Sequence, residues 1–216
     1  MSGHCCNHEA RFDGVSKAYR RVLWLVIVIN GGMFLIEMLA GSLADSRALQ
    51  ADALDFLGDT ATYGLSLLVI GQAAVWRARA ALIKGSTLAL MGLVVLGMTL
   101  YQVLILGTPS ALAMGGVGML ALAANVVSAL LLYRFRDGEA NVRSVWLCSR
   151  NDAIGNLAVI AAAGAVWWTQ TAWPDLLVAA AMAGLFLHSA GSIIRQALRE
   201  LGAAERRPEH RPARQI

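Results

Sequence analysis

Charged residues are scarce in this chain, since only 15% of its 216 residues are Asp, Glu, Lys or Arg. We also expect no soluble globular domain, because about twenty residues precede the first long apolar run and about as many follow the last. Hydrophobic residues instead make up 57% of the chain, and the mean hydropathy is +0.58. This composition excludes an ordinary soluble domain and indicates a membrane protein.

We expect no cleavable signal peptide either. The first apolar run begins near Val22, is too long for a signal sequence, and is followed by no clear cleavage site of small residues. A membrane-spanning helix needs about 20 mostly apolar residues. The chain has six such runs, so we expect an all-α membrane protein with six transmembrane helices, near 22–40, 49–72, 81–106, 110–133, 144–168 and 174–194.

These runs divide the chain into three regions. Residues 1–21 are expected to form a cytoplasmic N-terminal segment and residues 22–194 a transmembrane domain. Residues 195–216 are expected to form a short cytoplasmic tail that is largely disordered, because its end is rich in Arg and Pro. No convincing internal repeat connects the six runs.

The distribution of Lys and Arg predicts the orientation, because cations near the ends of spans are retained on the cytoplasmic side. Only Arg47 falls in a loop on the opposite side. The N-terminal segment, the loops after spans two and four, and the tail carry the remaining cations near the spans, among them Arg20, Arg21, Arg77, Arg79, Lys84, Arg134, Arg136, Arg143, Arg195 and Arg199. Both termini are therefore predicted to be cytoplasmic, in a multi-pass protein of the inner (plasma) membrane. We attribute the basic charge to contact with anionic lipids, not to nucleic-acid binding.

Acidic residues inside the predicted spans are the strongest functional signal, because an unpaired charge at the bilayer centre costs about 2.5–3.5 kcal/mol. Asp52, Asp55 and Asp59 lie in span two at spacings of i, i+3 and i+7, so they share one helix face. Three like charges on one apolar helix repel each other, and protons or a multivalent cation would relieve that repulsion. The stripe therefore predicts a site that exchanges protons for a metal ion.

Span five offers a complementary pair. Cys148 and Asp152 are four residues apart and share a helix face, as do Asp55 and Asp59. Two such pairs would supply four ligands, the number that Zn²⁺ prefers. Asn151 and Asn156 could add oxygen ligands or orient the carboxylates. The alternative is that the acids only form hydrogen bonds between helices or pair with Arg150, which we consider less favoured for two pairs at ligand spacing.

Two segments resemble the cation diffusion facilitator family. Asn30–Leu67, which contains "EMLAGSLADSRALQADALDFLGD", is similar to the first two spans of that family, and "NVRSVWLCSRNDAIGNLAVI" at Asn141–Ile160 is similar to its fifth. The resemblance implies a metal tetrad with two ligands on span two and two on span five, at Asp55, Asp59, Cys148 and Asp152. It also implies metal efflux from the cytosol driven by inward proton flow, usually in a homodimer.

The chain departs from the family pattern at two points. Cys148 stands where relatives commonly have His or an acid, so the site is softer and could favour thiophilic ions such as Zn²⁺ or Cd²⁺. Relatives also commonly carry a cytoplasmic domain after span six, and this chain is expected to be a short form that lacks it. Any homodimer would then depend on contacts between the spans.

Other polar residues are accessory candidates. Asn30 and Glu37 lie seven residues apart on one face of span one, where they could join helices or line the cavity. His188 in span six is expected to be a packing or interfacial residue and not a ligand. The N-terminal segment holds a cluster of metal-binding residue types that could capture metal or be incidental, namely His4, Cys5, Cys6 and His8.

We therefore predict a divalent transition-metal efflux transporter, with no resident cofactor, that exchanges metal for protons. The transported ion is expected to be Zn²⁺, Co²⁺ or Cd²⁺, and the partners are metal ions, protons, membrane lipids and a second copy of the chain, without nucleic acid. One alternative is a passive cation channel lined by acids. Another is an intramembrane aspartyl hydrolase, although the usual Gly-x-Gly-Asp signature is absent because Phe56 lies three residues before Asp59. A membrane scaffold whose acids are structural is the third.

Overall fold

The computed structural model describes residues 16–69, 74–105, 107–136 and 140–205. It contains six helices: α1 (Lys17–Leu43), α2 (Arg47–Val69), α3 (Ala74–Ile105), α4 (Ala111–Tyr133), α5 (Ala140–Thr169) and α6 (Trp173–Glu205). No strand occurs within these ranges. The prediction of an all-α chain is therefore confirmed, and each of the six apolar runs falls largely within one helix.

Five of the six helices are long and apolar enough to cross a membrane. Helix α2 is not among them, because Arg47 and three aspartates lower its hydropathy. The packing explains how this helix tolerates charge: α2 contacts each of the other five helices and so lies at the centre of the bundle. The outer helices instead expose large apolar side chains, such as Leu112 (88% exposed) and Trp168 (86% exposed), as expected for a surface that faces lipid.

The helices of the bundle alternate in direction. At one end, Arg47 at the start of α2 contacts Gln102 near the end of α3, and towards the other end Tyr63 of α2 contacts Val145 near the start of α5. Helix α2 is thus antiparallel to both α3 and α5. This arrangement brings Asp55 and Asp59 to the same level as the first half of α5.

Helices α3 and α6 form the most extensive pair in the bundle, and glycine permits their close approach. A Cβ atom added at Gly85 would lie 2.7 Å from Cγ1 of Ile194, and one at Gly92 would lie 2.9 Å from Cγ of Leu187. Both distances are shorter than carbon atoms tolerate. The two glycines therefore fix the distance between α3 and α6, which form two walls of the cavity described below.

Helices α1, α4 and α5 each bury one stripe of residues along a single helix face, and each stripe includes polar residues between its apolar ends. The buried residues recur every three or four positions, as in coiled-coil packing. On α1 the polar members are Asn30 and Glu37, and on α4 they are Asn125 and Ser128. Apolar clusters lie at either end of these stripes, including Leu23 with Leu132 and Met114 with Val159. The polar centre of the bundle is thus enclosed by apolar layers.

Candidate metal site

A cavity of about 640 Å³ lies between α2, α3, α5 and α6. Its lining combines apolar side chains from α6, such as Met182 and Phe186, with carboxyl groups from α2 and α5. The lining extends from Asp52 along α2 to Leu65, and therefore from the middle of the bundle towards the end at which α1 begins and α6 ends.

Helix α2 presents its three aspartates to this cavity. Asp52, Asp55 and Asp59 all belong to the lining, as their shared helix face predicts. Asp52 is 1% exposed, and Asp55 and Asp59 are half-buried. Carboxyl groups this close in a protein interior repel each other when they are all ionised. The cavity therefore favours the binding of positive charge.

Helix α5 presents Cys148 and Asp152 to the same cavity. The carboxyl group of Asp152 lies near those of Asp55 and Asp59. Carboxylates that are close together in a protein interior favour a proton or a cation among them. Besides Asp52, helices α2 and α5 thus bring Asp55, Asp59, Cys148 and Asp152 to one cavity.

These four side chains are neighbours, but they do not form a finished metal cage. Among the residues that the structure describes, no three His, Cys, Asp or Glu side chains converge closely enough to hold a metal ion. A cation bound here would therefore have to draw α2 and α5 side chains together through rotamer changes. Cys148 is half-buried and is a free thiol, so its sulfur is available as a ligand.

Tyr63 is a member of the site that the sequence reasoning missed. Its hydroxyl donates a hydrogen bond to Oδ2 of Asp59 and lies 3.5 Å from the carbonyl oxygen of Val145. It is also within hydrogen-bonding reach of the thiol of Cys148. Tyr63 is completely buried, and it follows Asp59 by four residues, a spacing that could have revealed the contact. The hydroxyl group of Tyr63 therefore orients the carboxylate of Asp59 from outside the cavity lining.

Glu37 lies outside the lining of the cavity, near Asp52. Its side chain is fully buried. Among the described residues, neither of its carboxyl oxygens has a hydrogen-bond partner. The two acids therefore extend the acidic region from the cavity into the interface between α1 and α2.

The three accessory asparagines differ in position. Asn151 lines the cavity and accepts a hydrogen bond of 3.1 Å from Arg150. Asn30 and Asn156 are fully buried and lie outside the lining. Within the described ranges, neither of these two amide groups has a hydrogen-bond partner. They belong to the polar centre between α1, α4 and α5 rather than to the wall of the cavity.

Two further polar residues line the cavity. The count of cations by loop assigns Arg77, Arg79 and Lys84 to the connection between spans two and three, which is wrong, because α3 already begins at Ala74 and contains all three. Lys84 lies ten residues into α3 and lines the cavity. His188 of α6 is exposed and also belongs to the lining of the cavity. The N-terminal cluster of His4, Cys5, Cys6 and His8 lies outside the described residues.

Comparison with known proteins identifies the family. The family model of the cation efflux transmembrane domain matches residues 23–201. The metal cation efflux system protein CzcD of Cupriavidus metallidurans is 26% identical over 173 residues, which cover 74% of this chain and 54% of that protein. The zinc transporter ZitB of Escherichia coli is 28% identical over 211 residues, covering 92% of this chain and 67% of that protein.

The chain thus spans about half the length of the first relative and two thirds of the second. The family model covers most of the chain, including every residue of the cavity wall. Together with the five helices long and apolar enough to cross a bilayer, the match indicates a multi-pass membrane protein. The resemblance found in the sequence is confirmed: this chain belongs to the cation efflux family.

Proposed function

We propose that this chain exports divalent transition-metal cations from the cytoplasm and binds one ion at a time to Asp55, Asp59, Cys148 and Asp152. The observation that carries the proposal is the meeting of two i, i+4 pairs, one from α2 and one from α5, on one cavity wall. Three carboxylates and a thiolate form a donor set suited to Zn²⁺, Co²⁺ or Cd²⁺. The two relatives named above carry metal cation efflux and zinc transport in their names.

The orientation that fits this function has six crossing helices and both termini in the cytoplasm. Helix α2 crosses as the shielded central helix, since its charges face protein and cavity instead of lipid. The cavity would then open from the middle of the bundle towards the cytoplasm. A cytosolic metal ion could enter it without crossing the apolar layer formed by residues such as Ala48 and Met114 at the opposite end.

The exchange of metal ions for protons follows from the acid–base chemistry of the proposed ligands. A carboxyl group or thiol must lose its proton to bind a metal ion, so binding from the cytoplasm releases protons and release on the other side takes them up. The inward proton gradient would thereby drive metal outwards. The membrane is proposed to be the inner (plasma) membrane, and association into a homodimer stays a prediction.

A passive channel and an intramembrane hydrolase are the rival functions. A channel would pass metal without saturation and without a response to a pH gradient. A hydrolase would need two acids placed to activate water on a peptide. The thiol beside the carboxyl groups favours metal binding over either rival, because a soft donor adds affinity for a transition metal.

The proposal is tested with the full chain reconstituted into liposomes that contain a fluorescent zinc indicator. We expect saturable Zn²⁺ uptake that depends on an imposed pH gradient and that falls at least about tenfold in Asp55→Asn and Asp152→Asn. Asp45→Asn is the matched control, because Asp45 is exposed in a turn with φ 53°, a conformation that Asn tolerates. Uptake that survives in both cavity variants would refute the site, and uptake indifferent to the pH gradient would refute the exchange.

A further inference from the structure

Lys84 places a positive charge on the wall of the proposed metal cavity. It is the only Lys or Arg among the described residues that line the cavity, and its side chain is half-buried. Ten residues at 1.5 Å each put it about 15 Å along the axis from the start of α3. Its place in the cavity lining distinguishes it from cations such as Arg79, which lies outside the lining.

Lys84 shares the cavity with three of the proposed ligands, which are Asp55, Asp59 and Cys148. These groups belong to α2 and α5, whereas Lys84 belongs to α3. The positive charge is thus placed in the same cavity as the ligand set but on a different helix, and in a site of low dielectric constant it attracts their negative charge.

A metal ion and the ammonium group would compete for the same negative charge. Both are attracted to the carboxylates, and they repel each other at short distance in a site of low dielectric constant. The lysine side chain is a compact charge on a flexible four-carbon stem, so it can approach the acids or withdraw from them without moving the helix. The stem can withdraw along the neighbouring cavity wall, which includes Thr87 and Ser192.

We propose that Lys84 is a tethered counter-ion of the metal site. This inference rests on the proposed function. Without metal, the ammonium group balances part of the negative charge of Asp55 and Asp59. An entering divalent cation displaces it, and its return helps to expel the cation. Lys84 thereby lowers the affinity for metal and accelerates release, which a transporter requires because an ion bound too tightly is not delivered.

The test compares Lys84→Met with the parent in purified full-length protein, in a background where His4, Cys5, Cys6 and His8 are replaced. The dissociation constant for Zn²⁺ is measured by competition with a chromophoric chelator, and the dissociation rate by stopped flow. We expect Lys84→Met to bind Zn²⁺ about tenfold more tightly, to release it correspondingly more slowly and to transport it more slowly, and Lys84→Arg to resemble the parent.

Arg79→Met is the matched control. Arg79 lies on the same helix, is exposed and stacks on Trp76, outside the cavity lining, so its removal should leave the affinity unchanged. Lys84→Gln serves as a second variant if Lys84→Met does not elute as a monodisperse species. Equal or weaker Zn²⁺ binding in Lys84→Met and Lys84→Gln would overturn the inference, and so would an equal tightening in Arg79→Met.

The aspartate variants separate this inference from the function on which it rests. If Asp55→Asn and Asp152→Asn lose Zn²⁺ binding while Lys84→Met and Lys84→Gln bind like the parent, the metal site stands and the counter-ion role is wrong. If the two aspartate variants bind Zn²⁺ like the parent, both the site and the role of Lys84 are wrong.

Discussion

The hydroxyl group of Ser46 donates a hydrogen bond of 2.6 Å to Oδ1 of Asp175, which joins the start of α2 to the first turn of α6. Asp175 also accepts hydrogen bonds from the backbone N–H groups of Arg47, at 2.7 Å, and Ala48, at 3.1 Å. The first N–H groups of a helix have no partner within that helix, and negative charge is favourable beside them. A carboxylate of α6 thus caps α2 at the end opposite the cavity mouth.

Asp175→Ala should destabilise the bundle, because it leaves three buried or half-buried donors without their acceptor. We expect the free energy of unfolding to fall by about 2 kcal/mol, which is measured as a lower midpoint of thermal denaturation in detergent. Glu200→Gln on the same helix is the control, since Glu200 is exposed and its amide counterpart keeps the acceptor used by Gln196. An unchanged midpoint in Asp175→Ala would mean that the cap contributes little.

Tyr63→Phe should weaken metal binding without removing a ligand. The substitution deletes the hydroxyl that donates to Asp59 and keeps the buried ring in place. Loss of a group that orients a metal ligand typically costs about 10–100-fold in affinity, so we expect a Zn²⁺ dissociation constant at least about tenfold higher in calorimetric titration. Tyr101→Phe, at a residue 61% exposed on α3, should bind like the parent. Parent-like affinity in Tyr63→Phe would show that Asp59 needs no such support.

Cys148→Ser should change which metal is preferred. Replacing sulfur by oxygen hardens the donor set, so the affinity for thiophilic Cd²⁺ should fall about tenfold more than that for Co²⁺. Competition between the two ions for the purified protein measures this ratio. The measurement requires Cys5→Ser and Cys6→Ser in both proteins, because those thiols would bind Cd²⁺ themselves. A parallel fall for both metals would argue that the sulfur is not a ligand.

Gly85→Ala should separate α3 from α6. The added Cβ would lie 2.7 Å from Cγ1 of Ile194 and 3.3 Å from its backbone nitrogen, so the helix itself would have to shift. Overpacking of this kind typically costs about 1–3 kcal/mol. Gly97→Ala is the matched control on α3, where nothing lies within 4 Å of the added atom. Denaturation midpoints of the two variants should differ, and equal midpoints would contradict the close packing.

Much of this arrangement could be predicted from the sequence. Apolar runs of sufficient length predict helices because a chain in lipid must satisfy its backbone hydrogen bonds within each segment. The spacing of Asp52, Asp55 and Asp59 predicts a shared face, and all three line one cavity. Spacing along one helix is fixed by local geometry alone.

The features that the sequence did not predict have a common physical cause. The spacing of residues along one helix does not determine where those residues lie relative to the other helices. Lys84 is counted with a loop because charges usually flank spans, yet α3 extends beyond the apolar run and carries it to the cavity. The spacing of Asn30 and Glu37 on α1 is compatible with lining the cavity or with joining helices, and only the packing of the bundle shows that Glu37 is buried outside the lining. The sequence likewise does not predict that α2 lies at the centre of the bundle, where it does not need an apolar surface facing lipid.

The most direct test of the central claim is X-ray absorption spectroscopy at the zinc edge of full-length protein loaded with one Zn²⁺, with the N-terminal His and Cys residues replaced. We expect oxygen neighbours at about 2.0–2.2 Å from the zinc ion and one sulfur neighbour at about 2.3 Å. The sulfur neighbour should disappear in Cys148→Ser, while the oxygen neighbours remain. A shell without sulfur in the parent, or a sulfur signal that persists in Cys148→Ser, would contradict the assignment of Cys148 and the aspartates to one shared ion.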